Sequence, residues 1–415
     1  MLANLVSFMT RREGKKFLKL SDEVDESVIT GIGLGGDEGI SLYIHIPFCK
    51  TLCPFCCFNR YLFKEDQARN YFKNLKKELA LYVQRGFKFS DFYFGGGTPT
   101  ILMDELIEFT GYLKENFEVK QISLETTARE LNLETIDSLK TAGINRLSIG
   151  VQSFDDAILK AMGRPFCPGE EMKEILLMAE GKFDTLNVDF VFNFPSQSIE
   201  KFEADVATFK NLGIDQATFY PLMASPHKKD AMERRFNRIN TSQEKKFYDI
   251  ILREFYNGGY KASTVWCFSN GERMIDEYII DFDDYIGIGA GSVSIVKGNF
   301  YVNSFSLDRY NELINHDRLP IVGWRTLTES EHIRYYLLTK LFGTEIDKSK
   351  FYQRFNADIN EKLRNELLFF RLFGLVQGKE KIKVTQKGMY SVSVMMREFF
   401  ASLNSLREYC IEKQI

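Results

Sequence analysis

Tyr43-Ile44-His45-Ile46-Pro47-Phe48-Cys49-Lys50-Thr51-Leu52-Cys53-Pro54-Phe55-Cys56-Cys57 is the stretch on which the reading of this chain turns. Ser41–Pro47 is β-branched and alternating, so it reads as a strand. The loop behind it reads C-x3-C-x2-C, with a further cysteine at once in Cys57. Four of the seven cysteines lie within these nine residues, Cys49 to Cys57. Thiolates at Cys49, Cys53 and Cys56 can hold three irons of a [4Fe–4S] cube, for which cysteine is the usual ligand. The fourth iron is then open to a small molecule. Structural zinc prefers two separated Cys pairs, or a Cys pair with a His pair. Here Cys167, Cys267 and Cys410 stand alone. A disulfide suits secreted proteins, and nothing here suggests secretion. Burial as small hydrophobes accounts for one or two cysteines, not for the spacing.

Outward from this loop the chain alternates strand and helix. Helix 65–86 closes at Gly86, and strand Asp91–Phe94 runs into Gly95-Gly96-Gly97-Thr98-Pro99. Helix 103–115, strand Gln121–Glu125, helix 132–141, strand Arg146–Gly150 and helix 155–162 follow. Strand Thr185–Phe192, helix 199–212 and strand Ala217–Leu222 complete the series. About six βα repeats imply a parallel sheet with helices outside, an α/β fold whose ligand site lies at the C-terminal strand ends. Glycines 95–97, Glu125 and Gln152 fall there, with Arg164 and Asp189 nearby. A Gly-Gly-Gly turn lets a ligand approach the backbone, although such a turn is often only a turn. Each polar residue alone is equally well explained as a structural ion pair, whereas together they favour ligand contacts.

The flanks read differently. Residues 1–40 form an N-terminal extension, with an amphipathic start, a basic stretch and the Gly-rich connector Gly31–Gly39. Residues 225–242 are polar and basic, suiting a solvated or substrate-covering helix. Helix 243–257 leads to strand Tyr260–Phe268, then to Ile286–Ser292 (IGIGAGS) and strand Asn299–Asn303. The span 41–323 therefore reads as the βα repeats with a β-rich extension. From 324 to 415 the chain turns helical and charged. A capped start at Thr328, helix 359–373, strand Ile382–Val384 and helix 393–408 suggest a winged-helix-like domain.

Composition excludes some functions. The 415 residues are 44% hydrophobic and 27% charged, with a net charge of −3, so no general basic field points to nucleic acid. No apolar run is long enough to span a bilayer. The order of the N-terminal segment is the reverse of a signal peptide, so a cytoplasmic location is expected, with peripheral membrane contact by the first helix as the alternative to simple packing. The 37 phenylalanines suit either an apolar pocket or an aromatic core.

Four motifs in order, YIHIPFCKTLCPFC, FGGGTPT (Phe94–Thr100), GVQSF (Gly150–Phe154) and IGIGAGS, resemble the radical S-adenosylmethionine (SAM) superfamily. Within it, they resemble the group typified by oxygen-independent coproporphyrinogen III dehydrogenase. The resemblance implies a partial (β/α)6 barrel and a [4Fe–4S] cluster on Cys49, Cys53 and Cys56. SAM would bind the open iron, and its sulfonium C–S bond would be cleaved by one electron from reduced flavodoxin or ferredoxin. It further implies two SAM molecules: Tyr43, Gly96 and Glu125 match contacts to one, and Phe55, Gly97, Thr98, Gln152, Arg164 and Asp189 match contacts to the other. Two SAM molecules permit methylation of an sp2 carbon, with an aromatic or quinone acceptor such as menaquinone as the expected substrate.

The relatives carry C-x3-C-x2-C-x-C where this chain has adjacent Cys56 and Cys57. Cys57 is read either as a catalytic thiol, giving hydrogen or a proton near the substrate, or as a buried small hydrophobe. The haem-chaperone relatives carry a histidine in the segment matching Asn270–Tyr278, where this chain has none. Only His45, His227, His316 and His332 exist. His45 reads as a hydrogen-bonding residue behind the cysteines. The alternative functions are a haem chaperone, or an anaerobic porphyrin enzyme that oxidises coproporphyrinogen or degrades haem.

Overall fold

The computed structural model describes residues 2–36, 39–223, 230, 233–236, 240–271, 278–413 and 415. Six parallel strands form its centre: β1 (Ile40–Ile46), β2 (Phe89–Gly96), β3 (Gln121–Thr126), β4 (Arg146–Gln152), β5 (Thr185–Phe192) and β6 (Gln216–Pro221). They are buried on both faces, as parallel strands under helices must be, and so read as near-continuous apolar runs. Short strands β7 (Lys261–Ala262) and β8 (Cys267–Ser269) follow. Then come β9 (Tyr285–Ile288), β10 (Val293–Val296), β11 (Asn299–Asn303) and β12 (Ile321–Thr326). The sheet order is β12-β11-β10-β9-β1-β2-β3-β4-β5-β6-β8-β7. β9 lies parallel to β1, whereas the strands beyond it, and β8 beside β6, are antiparallel.

The crossovers are helical: α1 (Leu2–Phe17) precedes the sheet, then α2 (Glu65–Gln84), α3 (Met103–Asn116), α4 (Leu133–Thr141), α5 (Asp156–Ala161), α6 (Gly169–Ala179) and α7 (Ile199–Asn211). The six βα units are those the periodicity predicts, and the partial barrel is the one the resemblance implies. Helix α6 is not anticipated by the sequence reading. Its apolar residues Met172, Ile175, Leu176 and Ala179 are buried at helical spacing, but the short stretch follows Gly163, Pro165 and Pro168, which punctuate it like a loop.

The predicted strand Tyr260–Phe268 is instead a hairpin. Thr264 Oγ1 accepts from the backbone N–H groups of Trp266 and Cys267, at 3.1 and 3.0 Å, and folds the chain back so that Phe268 pairs with Ala262. The predicted helix 243–257 begins as α8 (Thr241–Ile251) and ends in a π turn over Leu252–Tyr256. Most of the basic segment 225–242, and Glu272–Glu277 with the side chain of Tyr278, lie outside the described residues.

After β11 come α9 (Leu307–Asn315) and, after β12, α10 (Glu329–Phe342), which starts in a reciprocal cap between Thr328 and Glu331 as the sequence predicts. A small sheet pairs Glu345–Asp347 with Lys381–Val384 and that strand with Val376–Gln377. The predicted helix 359–373 is two pieces, Ile359–Lys362 and α11 (Arg364–Leu372), divided at Leu363, where φ −119° leaves the helical region. The closing helix α12 (Gln386–Lys413) is longer than predicted. Among the described residues no helix is long and apolar enough to cross a membrane.

Helix α12 is tied to α1, to α8 and to the β7–β8 hairpin. Glu398 accepts from Ser7 (2.8 Å) and Arg11 (2.9 Å) of α1, while Arg397 pairs with Glu244 of α8. Trp266, buried in the β7–β8 hairpin, donates its indole N–H to Ser393 at 2.8 Å. These ties hold α12 across the C-terminal end of the barrel, where the sequence reading places the ligand site.

Candidate functional site

The cysteine loop leaves β1 beside the glycine turn that leaves β2. Gly97 N–H donates to the carbonyl of Ile46 (2.7 Å), and Thr98 N–H to that of Phe48 (2.8 Å). Gly96 has φ +110°, and a Cβ there would stand 2.4 Å from His45 Cε1. The turn therefore requires glycine because the His45 ring fills the space. His45 is fully buried, with Nδ1 3.1 Å from the Tyr43 hydroxyl and Nε2 3.0 Å from the carbonyl of Asn59. Burial pushes its pKa down to about 4, so the ring is neutral at physiological pH. Asn59 then donates to the carbonyls of Ala290 (3.0 Å) and Phe305 (3.1 Å). The cysteine loop is thereby latched to the turn after β9.

That turn rests on a buried carboxyl group. Glu78 of α2 accepts from Gly289 N–H (2.8 Å), the Tyr310 hydroxyl (2.7 Å) and Asn303 Nδ2 (2.6 Å). Desolvation raises its pKa to about 7 against the pull of these three donors. Tyr71 donates to the carbonyl of His45 (2.8 Å) and accepts from Ala290 N–H (2.7 Å), which joins the two loops. Gly289 sits at φ +96°, where a Cβ would meet Tyr71 Oη at 2.4 Å.

Above these supports is a cavity of about 310 Å³, and every site residue named from the sequence lines it. Cys49 and Cys53 are buried, and Cys56 and Cys57 are half-buried. Thr98 Oγ1 lies 3.6 Å from Cys49 Sγ, and Arg164 Nη1 lies 3.9 Å from Cys53 Sγ. Arg60 donates to the carbonyls of Cys53 (3.0 Å) and Cys56 (3.1 Å), fixing the loop's curve. Burial pushes the Cys49 thiol up to about 11, so a bare thiolate is disfavoured there. A bound metal's positive charge would reverse that balance.

The polar lining falls in two groups. Glu125, at the end of β3, accepts from the Tyr93 hydroxyl (2.8 Å) and from Gly96 N–H (3.2 Å). With Tyr43 it forms one group. Across the cavity, Arg164 donates to Thr127 Oγ1 (2.9 Å) and to the carbonyl of Gly150 (2.8 Å), and its Nε is buried with no partner among the described residues. Asp189, on β5, accepts from Ser148 (3.0 Å) and Asn187 (2.8 Å). Gln152 is held at φ +72°, an uncommon conformation for a non-glycine residue, at an irregularity in β4. Phe55 meets Phe194 edge to face at 6.5 Å.

The remaining wall is apolar. Trp266, Phe300, Phe399, Phe400 and Leu403 line it, together with Val191 and Leu222. Cations also line the cavity: Arg129 over Phe166 (5.0 Å) and bonded to Thr51 of the cysteine loop (3.2 Å), Arg407 of α12 over Phe58 (5.3 Å), and Lys50 paired with Glu130 (2.6 Å). The sequence reading missed Asn59, Arg60 and the α12 residues. The first two directly follow the cysteines in CCFNRY, so proximity to the motif was the available signal. Nothing local marks Phe399 or Arg407, which arrive from the far end of the chain.

Among the described residues no three His, Cys, Asp or Glu side chains converge as a single metal ion needs. A cube spreads its thiolate ligands around a much larger group. Three cysteines on one loop facing one cavity, with an arginine and a threonine beside two of the sulfurs, fit such a cluster.

Residues 43–209 match the family model described as the Radical SAM superfamily. That segment is where the chain is similar to the superfamily. Over 363 residues it is 25% identical to the haem chaperone HemW of Bacillus subtilis, covering 84% of this chain and 96% of that protein. Over 396 residues it is 26% identical to the oxygen-independent coproporphyrinogen III oxidase of Helicobacter pylori, covering 88% and 86%. The solved coproporphyrinogen III oxidase HemN of Escherichia coli, a radical SAM enzyme, superposes with a TM-score of 0.78 at 23% identity, over 92% of this chain and 95% of that one. The fold shared with that structure therefore extends past the matched segment into the C-terminal helices. These relatives are named for haem and coproporphyrinogen, and the methyl transfer to a quinone expected from the sequence has no counterpart among them.

Proposed function

We propose that this chain is a radical SAM enzyme acting on a conjugated, largely apolar ring compound, with carboxylate-bearing tetrapyrroles as the favoured class. The observation that carries this is the make-up of the cavity: the cysteine loop and polar groups, with Arg129 bonded to Thr51 of that loop, on one side, and an aromatic wall with Arg407 of α12 on the other. A flat ring suits the aromatic wall, and acidic substituents suit the guanidinium groups. The names of the relatives point the same way.

Cys49, Cys53 and Cys56 would hold a [4Fe–4S] cluster, and the groups around Glu125 and Arg164 would hold SAM. When bound, the cluster and SAM supply one-electron chemistry begun at the sulfonium C–S bond. Glu125, held by Tyr93 and Gly96, would accept from the SAM amino or ribose groups. The unpartnered Nε of Arg164 leaves a donor for a carboxylate. A reduced flavodoxin or ferredoxin would be the electron source.

A purely haem-carrying role is disfavoured by His45, the one histidine among the described residues that lines the cavity, whose ring nitrogens both have partners. A second reading, methyl transfer to an sp2 carbon through two SAM molecules, is favoured by the two separate polar groups facing one cavity, with Cys57 beside them.

Anaerobic turnover with methyl-labelled SAM, dithionite, and a panel of coproporphyrinogen, haem and quinones tests these readings. The tetrapyrrole reading expects a mass change in a tetrapyrrole without label. Label in a quinone product would establish the second reading, and stoichiometric haem uptake without SAM turnover would overturn both.

A further inference from the structure

A groove of about 500 Å³ adjoins the site cavity, between α1, α10 and α11. Tyr335 and Phe399 line both spaces, and their ring centroids stand 6.0 Å apart. One layer of aromatic side chains thus divides the groove from the proposed reaction site.

Both lips of the groove are apolar and open to solvent. On α1, Leu5, Phe8 and Met9 fall at i, i+3 and i+4, one exposed face, with Phe8 65% exposed. On α11, Phe369 lines the groove and packs on exposed Phe373 at 4.9 Å, and neighbouring Leu372 is 74% exposed. Scattered exposed leucines need no explanation, but two facing lips of large apolar side chains around one groove do.

The charge on α1 complements an anionic surface. Arg12 continues the Leu5–Phe8–Met9 face and lines the groove, and Lys15 follows it; neither has an ion pair among the described residues. The three acidic residues lining the groove are all paired: Glu13 and Glu366 with Arg334, at 3.6 and 3.1 Å, and Glu331 with Arg325.

We propose that this groove seats the hydrocarbon chain of an anionic membrane lipid, docking the enzyme on the bilayer surface with Arg12 and Lys15 at the headgroup phosphate. Apolar side chains flanked by cations are what interfacial binding requires, and neither element alone binds firmly. Docked this way, the aromatic divider at Tyr335 and Phe399 faces the source of any apolar substrate. The proposal goes beyond the reaction above and does not depend on which ring compound is used.

Sedimentation of the full-length, cluster-reconstituted protein with vesicles tests it. The vesicles are phosphatidylcholine alone, or phosphatidylcholine with phosphatidylglycerol. Binding is expected only with phosphatidylglycerol. Exchanging two exposed side chains in Phe8→Asp/Met9→Asp should weaken it by about tenfold or more, and Arg12→Glu should reduce its dependence on phosphatidylglycerol. Amide hydrogen exchange in α1 and α11 should slow on those vesicles. Substrate-free release of 5′-deoxyadenosine should be unchanged in Phe8→Asp/Met9→Asp, which separates failure here from failure of the proposed reaction. Three results would overturn the proposal: no binding to phosphatidylglycerol vesicles, equal binding by Phe8→Asp/Met9→Asp, or a dimer in solution that this variant dissociates, since a second copy would then cover the groove.

Discussion

The two walls of the cavity are built on different principles. On the barrel side, polar side chains are held by partners that are themselves held: Tyr43 by His45, His45 by Asn59, Glu125 by Tyr93 and Gly96, Asp189 by Ser148 and Asn187. On the opposite side, Phe399, Phe400 and Leu403 come from α12, Trp266 from the turn of the β7–β8 hairpin and Phe300 from β11. That wall is shaped by packing, with Trp266 donating its N–H away to Ser393. The barrel wall is preorganised for one chemistry, since its donors and acceptors cannot shift without breaking a chain of hydrogen bonds. The helical wall can be reshaped by exchanging apolar side chains of similar volume at modest cost. On the proposed reading, the chemistry and the choice of substrate fall to different parts of the chain.

Substitutions can break or sharpen this contrast. The largest effect is expected from Cys53→Ala, which should abolish cluster incorporation and 5′-deoxyadenosine formation to background while circular dichroism stays unchanged. Gly96→Ala comes next, because its methyl group must displace the His45 ring from a backbone at positive φ. A cost of roughly 1–3 kcal/mol should appear in urea unfolding. Glu125→Gln keeps the shape and removes the charge. Loss of one charge-assisted contact, worth about 1.5–3 kcal/mol, should raise the Kd for SAM about tenfold to a hundredfold, measured by anaerobic calorimetry.

Glu78 gives a pH test of the support beneath the barrel wall. Its carboxyl is raised from its ordinary value of 4.5 to about 7 by burial. The folded protein therefore holds this proton more tightly than the unfolded chain. Its contribution to stability is full below pH 4.5 and is lost as pH rises to about 7. Glu78→Gln should flatten the fall in stability across that window, read by thermal unfolding at a series of pH values. The smallest effect on SAM chemistry is expected on the helical wall. Phe400→Ala should leave substrate-free SAM cleavage unchanged and lower only product formation or its selectivity.

The same division explains what the sequence disclosed. β1 to β6 were readable because strand and helix alternate with clear apolar periods. The cavity residues were readable because the resemblance runs through short motifs at strand ends. Tyr260–Phe268 misled because a β-rich run hides a turn made by one threonine hydroxyl. The roles of Phe399, Phe400 and Arg407 were illegible, since contacts between α12 and a strand end far earlier in the chain leave no local pattern. The latch from His45 through Asn59 to the turn after β9 was equally hidden, because each link is a backbone carbonyl that composition does not reveal.

The central claim is that Cys49, Cys53 and Cys56 share one cluster with a corner open to SAM. Electron paramagnetic resonance of the anaerobically reconstituted, dithionite-reduced protein, recorded before and after SAM is added, tests it most directly. The account predicts a reduced [4Fe–4S] signal whose g-values shift on addition of SAM and which is lost in Cys53→Ala. Material that binds zinc alone, or a cluster signal indifferent to SAM, would contradict it.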